Sequence, residues 1–460
     1  MPVRDFYVPD YYEENFIPPN PYPLEERLRK QVKSSATVIA KRQVEYAHYL
    51  HSTMLKGYPD FKNYLSQGKQ DNGHQAVALG IGTVYYAENI HNIEVLAPLA
   101  ERVAQRHVSL NIQPWQYIVV WKYFMGSMEA TFGKDYFAGE MREAWNAAYW
   151  QLAWMFMNRE TELYAKAGWT GYKDFTVAKR VKETELVTSF YLTPKEDLKV
   201  HGYRAGQYIS VQKIVPELGT RQARQYSLSD VPAGNQLRIS VKRDQGVNAT
   251  KPGSHEVDTK DAGRPGYISN LLHDTVQEGD TVEVAHPFGN FILEDGTSPV
   301  VLISAGVGAT PFVAMLNTII QDTAATPPPP ELSISSVDSW ESASRPAPRL
   351  VSWVHATHSI KEHVFKEHIA SVARAYPDQV KTTTFYSITD DATSCVDFDF
   401  EGRMDLAKVS DDVLRLEHSD ALYYLCGPEA FMNNMRSHLV SARGVNPEHI
   451  IVESFDVVRV

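Results

Sequence analysis

Only two cysteines, Cys395 and Cys426, occur among 460 residues. That scarcity excludes a disulfide-rich scaffold and any zinc or iron–sulfur site built from cysteine alone, and it fits a reducing compartment. No apolar run approaches the roughly 18 residues that a membrane helix needs, so stable membrane insertion is not expected. Positive charge is also short. Lys and Arg number 45 against 56 Asp and Glu, a formal charge of −11, which argues against a general nucleic-acid surface. The first 24 residues carry Pro, Tyr and acidic side chains where a secretory signal has a basic start and an apolar core. The cytoplasm is the expected location.

What is present is a globular mixture, 43% apolar and 22% charged. The chain is too long for one core, since cores stop growing near ~250–300 residues. Three stretches differ in period. Residues 25–167 space apolar side chains by three and four and predict an all-α domain of five or six helices. One stripe begins Val32, Ala36, Ala40, Val44. Others cover 75–90, 93–108, 114–132 with Pro114 in the first turn, and 140–167 with Gly168 as its cap. Residues 169–296 shift toward a period of two. They predict a small antiparallel β-barrel with strands at 174–188, 208–214 and 236–242, interrupted by a polar insert at 248–265. Residues 299–460 alternate apolar runs (300–304, 350–355, 380–386, 422–426) with helical stretches (312–318, 364–375, 429–440), the pattern of an open α/β sheet. The Pro- and Ser-rich stretch 322–348 reads as a disordered surface excursion.

Each stretch offers residues with chemistry. His107, Tyr117 and Glu160 lie in the helical part. A helix imidazole can ligate haem iron while its other nitrogen is held by an outer acceptor. The bland reading makes His107 a packed histidine, Tyr117 an ordinary aromatic and Glu160 a surface acid. In the middle part, Arg224-Gln225-Tyr226-Ser227 supplies a guanidinium fork for phosphate, an aromatic for a flat ring and a hydroxyl for a ring heteroatom. Tyr208 adds a second aromatic, and the helix start at Ser269-Asn270 adds backbone N–H groups for a pyrophosphate. Barrel packing accounts for each alone; their order favours a flavin. In the last part, Gly306 and Gly308 follow an apolar strand and allow a ligand close to backbone. Pro311, just after Thr310, stands where the usual dinucleotide fingerprint has its third glycine. Cys426-Gly427-Pro428 follows another strand. Glu453 and Phe455 close the chain either over a cofactor or into a core.

These motifs, with Asn158-Arg159-Glu160 on the last helix, resemble the flavohaemoglobins, the nitric oxide dioxygenase family, over nearly all of residues 28–457. The resemblance implies a multidomain fold. A globin haem domain (25–167) is followed by an antiparallel β-barrel FAD-binding domain (169–296) and an α/β NAD(P)-binding domain of ferredoxin-reductase type (299–460). It implies haem b, FAD and NADH or NADPH as cofactors, and an enzyme that oxidises nitric oxide with dioxygen to nitrate. His107 falls at the proximal iron ligand, Tyr117 and Glu160 at its partners, Gln75 at the distal glutamine and Leu79 at the bulky distal residue. Tyr208, Arg224, Gln225, Tyr226, Ser227, Ser269, Asn270, Glu453 and Phe455 fall on the flavin side. Gly306, Gly308, Thr310, Cys426, Gly427 and Pro428 fall on the nicotinamide side.

Two positions depart from the family pattern. Counting 24 back from Gln75, its oxygen-binding tyrosine becomes His51; counting 10 back, its haem-packing phenylalanine becomes Leu65. Tyr49 and Tyr64 stand close enough in sequence to compensate. The expected partners are small molecules and the expected state is a monomer. The alternative reading is a haem-flavin reductase for other acceptors, or a haem-based sensor.

Overall fold

The computed structural model describes residues 23–64, 74–200, 202–231, 234–246, 265–325 and 347–455, with backbone alone at 74–76 and 325. Five long helices come first: α1 (Glu26–Gly57), α2 (His74–Glu88), α3 (Ala97–Ser109), α4 (Pro114–Phe132) and α5 (Gly139–Lys166). Helix α1 keeps one buried stripe: Leu28, Val32, Ala36 and Ile39 in its first half, and Tyr46, Ala47, Leu50 and Met54 in its second. Val44, expected to extend the stripe, is 44% exposed. Each step of four residues drifts by about 40° around a helix, so the spacing 32, 36, 40, 44 walks off the buried face. Arg42, with φ of −129° and ψ of 20°, leaves helical geometry and kinks the helix. Close packing continues past the kink, because a β-carbon on Gly80 of α2 would lie 2.7 Å from the Gln43 carbonyl oxygen.

Helix α4 starts cleanly. Pro114 occupies its first turn, and Gln113 and Gln116 form a reciprocal capping box. Helix α5 is apolar on several sides because it runs through the core. Trp145 and Trp150 are buried, and Trp145 Nε1 donates to Ser35 Oγ at 3.0 Å. Its predicted glycine cap is not used. Ala167 turns extended (φ −73°, ψ 141°), so the chain leaves the helix without a left-handed residue.

Six strands follow: β1 (Tyr172–Lys182), β2 (Val187–Pro194), β3 (Tyr208–Val215), β4 (Thr220–Ser227), β5 (Leu237–Lys242) and β6 (Thr281–Ala285). Their order is β4-β3-β6-β1-β2-β5, and every pairing is antiparallel. The two end strands meet at a Leu228–Ile239 bridge. The single strand predicted at 174–188 is the β1–β2 hairpin. Strand β4 carries the Arg224–Ser227 motif, and its polar composition hid it from a periodicity argument. Helix α6 (Tyr267–Thr275) lies between β5 and β6; most of the 248–265 insert lies outside the described residues.

The remaining elements are β7 (Val300–Ala305), α7 (Thr310–Ala325), β8 (Val351–Thr357), α8 (Lys366–Ala375), β9 (Val380–Tyr386), β10 (Phe400–Glu401), β11 (Leu422–Cys426), α9 (Glu429–Arg443) and β12 (Ile450–Glu453). The sheet is parallel throughout, in the order β10-β9-β8-β7-β11-β12. Strand order reverses around β7, and such reversals open a ligand crevice at the carboxyl strand ends. Helix α7 extends through Ala325, so the excursion predicted from 322 does not begin there; 326–346 lie outside the described residues.

The helical part rests on the barrel. Ala104, Val108 and Leu163 pack on Phe288. The 3-10 turn Pro59–Asn63 reaches β4, where Asn63 Oδ1 accepts from the Arg221 N–H at 2.9 Å and the Lys62 carbonyl accepts from Gln222 Nε2 at 2.8 Å. Among the described residues, no helix is long and apolar enough to cross a membrane.

Candidate functional site

Three helices converge at His107. It lies in the last turn of α3, Tyr117 in the first turns of α4, and Glu160 near the end of α5. Glu160 is no surface acid: it is 2% exposed. Its Oε1 accepts from the Tyr117 hydroxyl at 2.5 Å and sits 2.8 Å from His107 Nδ1. Burial first, and the nearby Glu160 second, hold the Tyr117 phenol well above the usual tyrosine range. Its proton therefore stays on oxygen and is spent on the carboxylate. His107 Nδ1 also lies 2.9 Å from that hydroxyl oxygen. Both neighbours are acceptors toward Nδ1, so Nδ1 carries the imidazole proton and Nε2 carries the lone pair. Tyr149, which sequence reasoning missed, donates to the Tyr117 carbonyl at 2.6 Å. Phe156 stacks on the Tyr117 ring. Both partners come from a distant helix, so no local spacing could reveal them.

His51 is half-buried in α1, and its Nε2 is buried with no hydrogen-bond partner. Burial, then the neighbouring His48, lowers its pKa, so the ring is neutral near pH 7. Leu79 is a 39% exposed apolar side chain on α2. Gln75 begins the same helix, but its side chain lies outside the described residues, as does all of Leu65. Tyr49 is 46% exposed, and Tyr64 packs on Phe61.

The flavin-side candidates cluster on β3 and β4. Tyr208 pairs with Ser227, and Val211 with Arg224. Arg224 donates to the Ala223 carbonyl at 2.7 Å; among the described residues no ion pair holds it, and burial lowers its pKa. A half-buried guanidinium without a carboxylate suits a phosphate. The Tyr226 hydroxyl is buried and unpartnered. Gln225 reaches across to the helical part, donating to Ser109 Oγ at 2.7 Å. Ser269 and Asn270 are committed elsewhere. Ser269 Oγ accepts from the Asp244 N–H at 3.2 Å, and Asn270 Nδ2 donates to the Asp244 and Gly266 carbonyls at 2.7 and 2.8 Å. Their side chains tie Asp244 to the helix start, which leaves backbone N–H groups as the feature for a pyrophosphate.

On the nicotinamide side, Gly306 (φ 53°) opens a 3-10 turn, Gly306–Ala309, directly after β7. A β-carbon on Gly308 would run into the Cys426 carbonyl, so the turns after β7 and β11 touch backbone to backbone. Thr310 Oγ1 donates to the Val307 carbonyl at 3.0 Å, and Pro428 caps α9. The missing third glycine costs nothing here, because Pro311 fits the first turn of α7. Burial raises the Cys426 thiol pKa. In the next strand Glu453 pairs with Cys426. Burial pushes its pKa up to about 7, against the opposing pull of Arg102 and Arg106 on α3. Phe455 is 44% exposed beside this edge. A cavity of about 660 Å³ bordered by Arg204, Asp322, Arg349 and Gln379 lies at the opposite strand ends and contains none of these residues.

The donor set fits the cofactors tested against it. A lone imidazole with its outer nitrogen committed suits a haem iron, and among the described residues no cluster of three or more His, Cys, Asp or Glu offers a rival metal site. Leu79 and Phe455 are exposed apolar side chains of the kind that cover a flat cofactor.

Comparison with known proteins bears on the same residues. The family described as Globin matches residues 50–155, and that described as Oxidoreductase NAD-binding domain matches residues 302–437. The flavohemoprotein of Bordetella parapertussis is 37% identical over 440 residues, covering 94% of this chain and 98% of that one. The flavohemoprotein of Rhizobium meliloti is 34% identical with the same coverage. The crystal structure of a flavohemoglobin from Malassezia yamatoensis, with bound FAD and heme, superposes with a TM-score of 0.74 at 26% identity, covering 94% of this chain and all of that one. A globin fold, a flavin-type barrel and a parallel nucleotide sheet follow one another in this chain, and its full-length relatives carry one name: the chain belongs to the flavohaemoglobin family, the flavohemoproteins.

Proposed function

We propose that this protein is an NAD(P)H-dependent nitric oxide dioxygenase. One nicotinamide hydride supports two nitric oxide and two dioxygen molecules, giving two nitrates, oxidised nicotinamide and a proton. The observation that carries the reading is His107. Its Nδ1–H is committed to a buried carboxylate at 2.8 Å, on the helix that packs against the barrel bearing the flavin motif.

When bound, FAD divides a hydride into single electrons and haem supplies the iron centre that uses them with dioxygen. The chain's own residues do the rest. Tyr117 and Glu160 fix the His107 tautomer and make Nε2 a stronger donor. His51 is the proposed distal residue, where a neutral ring can donate one hydrogen bond, and Gln75 is proposed for the same side from its family position alone. Arg224 would anchor a phosphate of FAD, Tyr208 and Tyr226 would pack on its flat ring, and Ser227 would offer a hydroxyl to a ring nitrogen. Gly306 and Gly308 admit the nicotinamide nucleotide to the backbone at the strand reversal. The protein acts in the cytoplasm, as a monomer, on small molecules and without nucleic acid.

A second reading, a haem-flavin reductase or sensor, draws on His51 standing where the family has tyrosine. One experiment separates the two. Reduced protein is mixed with dioxygen and nitric oxide, and nitrate is counted. One nitrate per nitric oxide supports the dioxygenase; unconsumed nitric oxide sinks it. In parallel, His107→Ala should lose normal haem ligation yet keep flavin bleaching by NAD(P)H. Native haem spectra in that variant reject the ligand assignment.

A further inference from the structure

We infer that Gln105 is a positioning residue that locks the His107 helix to the flavin-holding strand and so sets the rate at which electrons pass from flavin to haem. The inference rests on the proposed electron route above.

Gln105 lies two residues before His107 on α3. Successive residues turn by about 100° around a helix, so two side chains that far apart face nearly opposite ways. One serves the interior of the helical part; the other faces the barrel. Gln105 is 7% exposed, and both ends of its amide are used. Its Nε2 donates to Glu101 Oε1 at 2.8 Å, and its Oε1 accepts from the Gly289 N–H at 2.9 Å. The amide cannot be flipped, because the carboxylate only accepts and the backbone N–H only donates. Glu101 is itself gripped by Arg159 of α5, at 2.6 and 2.9 Å. The tie thus runs from α5 through α3 into the barrel.

Beyond Gly289 the same line reaches the flavin side. Gly289 has φ of 120°, and a β-carbon there would lie 2.9 Å from Tyr208 Cε1. Its carbonyl accepts from Gln207 Nε2 at 3.2 Å. The Gln207 carbonyl accepts from the Leu228 N–H at 2.9 Å, next to Ser227. Phe288 and Tyr208 exchange both backbone hydrogen bonds at 2.9 Å. Three hydrogen bonds therefore connect the proximal helix, through Gln105, Gly289 and Gln207, to Leu228 beside Ser227, and the two of the Phe288 pair hold Tyr208 next to Gly289. The apolar contact of Ala104, Val108 and Phe288 is non-directional. It holds the surfaces together, whereas the buried amide fixes their register.

The test uses the full chain loaded with haem and FAD, comparing wild type with Gln105→Met, which keeps the volume and removes both hydrogen bonds. Hydrogen exchange is followed in the peptide containing Gly289, and rapid mixing with NADH without oxygen separates flavin bleaching from haem reduction. Gln105→Met should speed exchange at Gly289 and leave flavin bleaching unchanged. Haem reduction should slow by on the order of ten- to a hundredfold, the scale of small misplacements. Glu101→Gln frees the amide to turn and should give the same split, smaller. Equal haem reduction in wild type and both variants overturns the proposal, and so does parallel slowing of flavin and haem. A wild type whose flavin bleaches while its haem stays oxidised would instead reject the electron route itself.

Discussion

At the scale of single residues, the decisive pair is Glu160 and His107. A buried carboxylate that accepts two hydrogen bonds on one oxygen, with its other oxygen unpartnered, acts mainly on the imidazole. Glu160→Gln is expected to lower turnover on the order of ten- to a hundredfold, the usual effect of an outer partner. The iron–histidine stretching frequency should fall with it. An unchanged stretch would mean that Glu160 serves only the fold. His51 makes a separate case. Its lowered pKa keeps it neutral above the ordinary histidine value, so its hydrogen bonding should not vary between pH 7 and 8. His51→Tyr is expected to slow dioxygen dissociation if the buried Nε2 faces ligand. Identical dissociation rates in the two proteins would place it away from the ligand.

At the scale of elements, the β7 and β11 turns, proposed for the nicotinamide nucleotide, meet backbone to backbone. Gly308→Ala drives a methyl group into the Cys426 carbonyl. It is expected to cost about 1–3 kcal/mol in stability, as overpacking does, and to raise KM for the nicotinamide nucleotide more than it lowers flavin content. A variant with native stability and KM would show that the two turns separate freely.

The same elements show what the sequence could and could not disclose. Apolar runs buried on both faces, as in β7, β8 and β11, announce themselves, and so do helices with strict stripes. Strand β4 does not, because its residues from Thr220 to Ser227 are mostly polar and are held by pairing and by the helical part. Helix α1 misleads for another reason. A stripe read at every fourth residue drifts off the true helical face, and so assigns exposed Val44 to the core. The His107–Tyr117–Glu160 site joins three helices across 53 residues of chain. The residues alone leave a haem reading open beside the bland one, and the family pattern decides between them.

At the scale of the whole molecule, the parts meet around charges that belong to different domains. Glu453, from the last strand, faces Arg102 and Arg106 of the His107 helix. Its pKa rises from 4.5 to about 7 on folding, so the folded chain holds the proton more tightly than the unfolded one. The stability it contributes is fully present below pH 4.5 and is lost as pH rises through 7. Glu453→Gln removes that dependence. Its stability relative to wild type should therefore grow between pH 5 and pH 8, as denaturant midpoints at the two values would show. Parallel pH profiles would mean that the carboxyl is solvated in the folded chain.

The kink at Arg42 has one more consequence. Beyond it, the Gln43 carbonyl rests against Gly80, the neighbour of Leu79 on the helix that begins at His74. At the kink itself the Arg42 guanidinium is held by Glu45 and by the Thr131 carbonyl. A methyl group at position 80 would press on the Gln43 carbonyl and act as a wedge between α1 and α2.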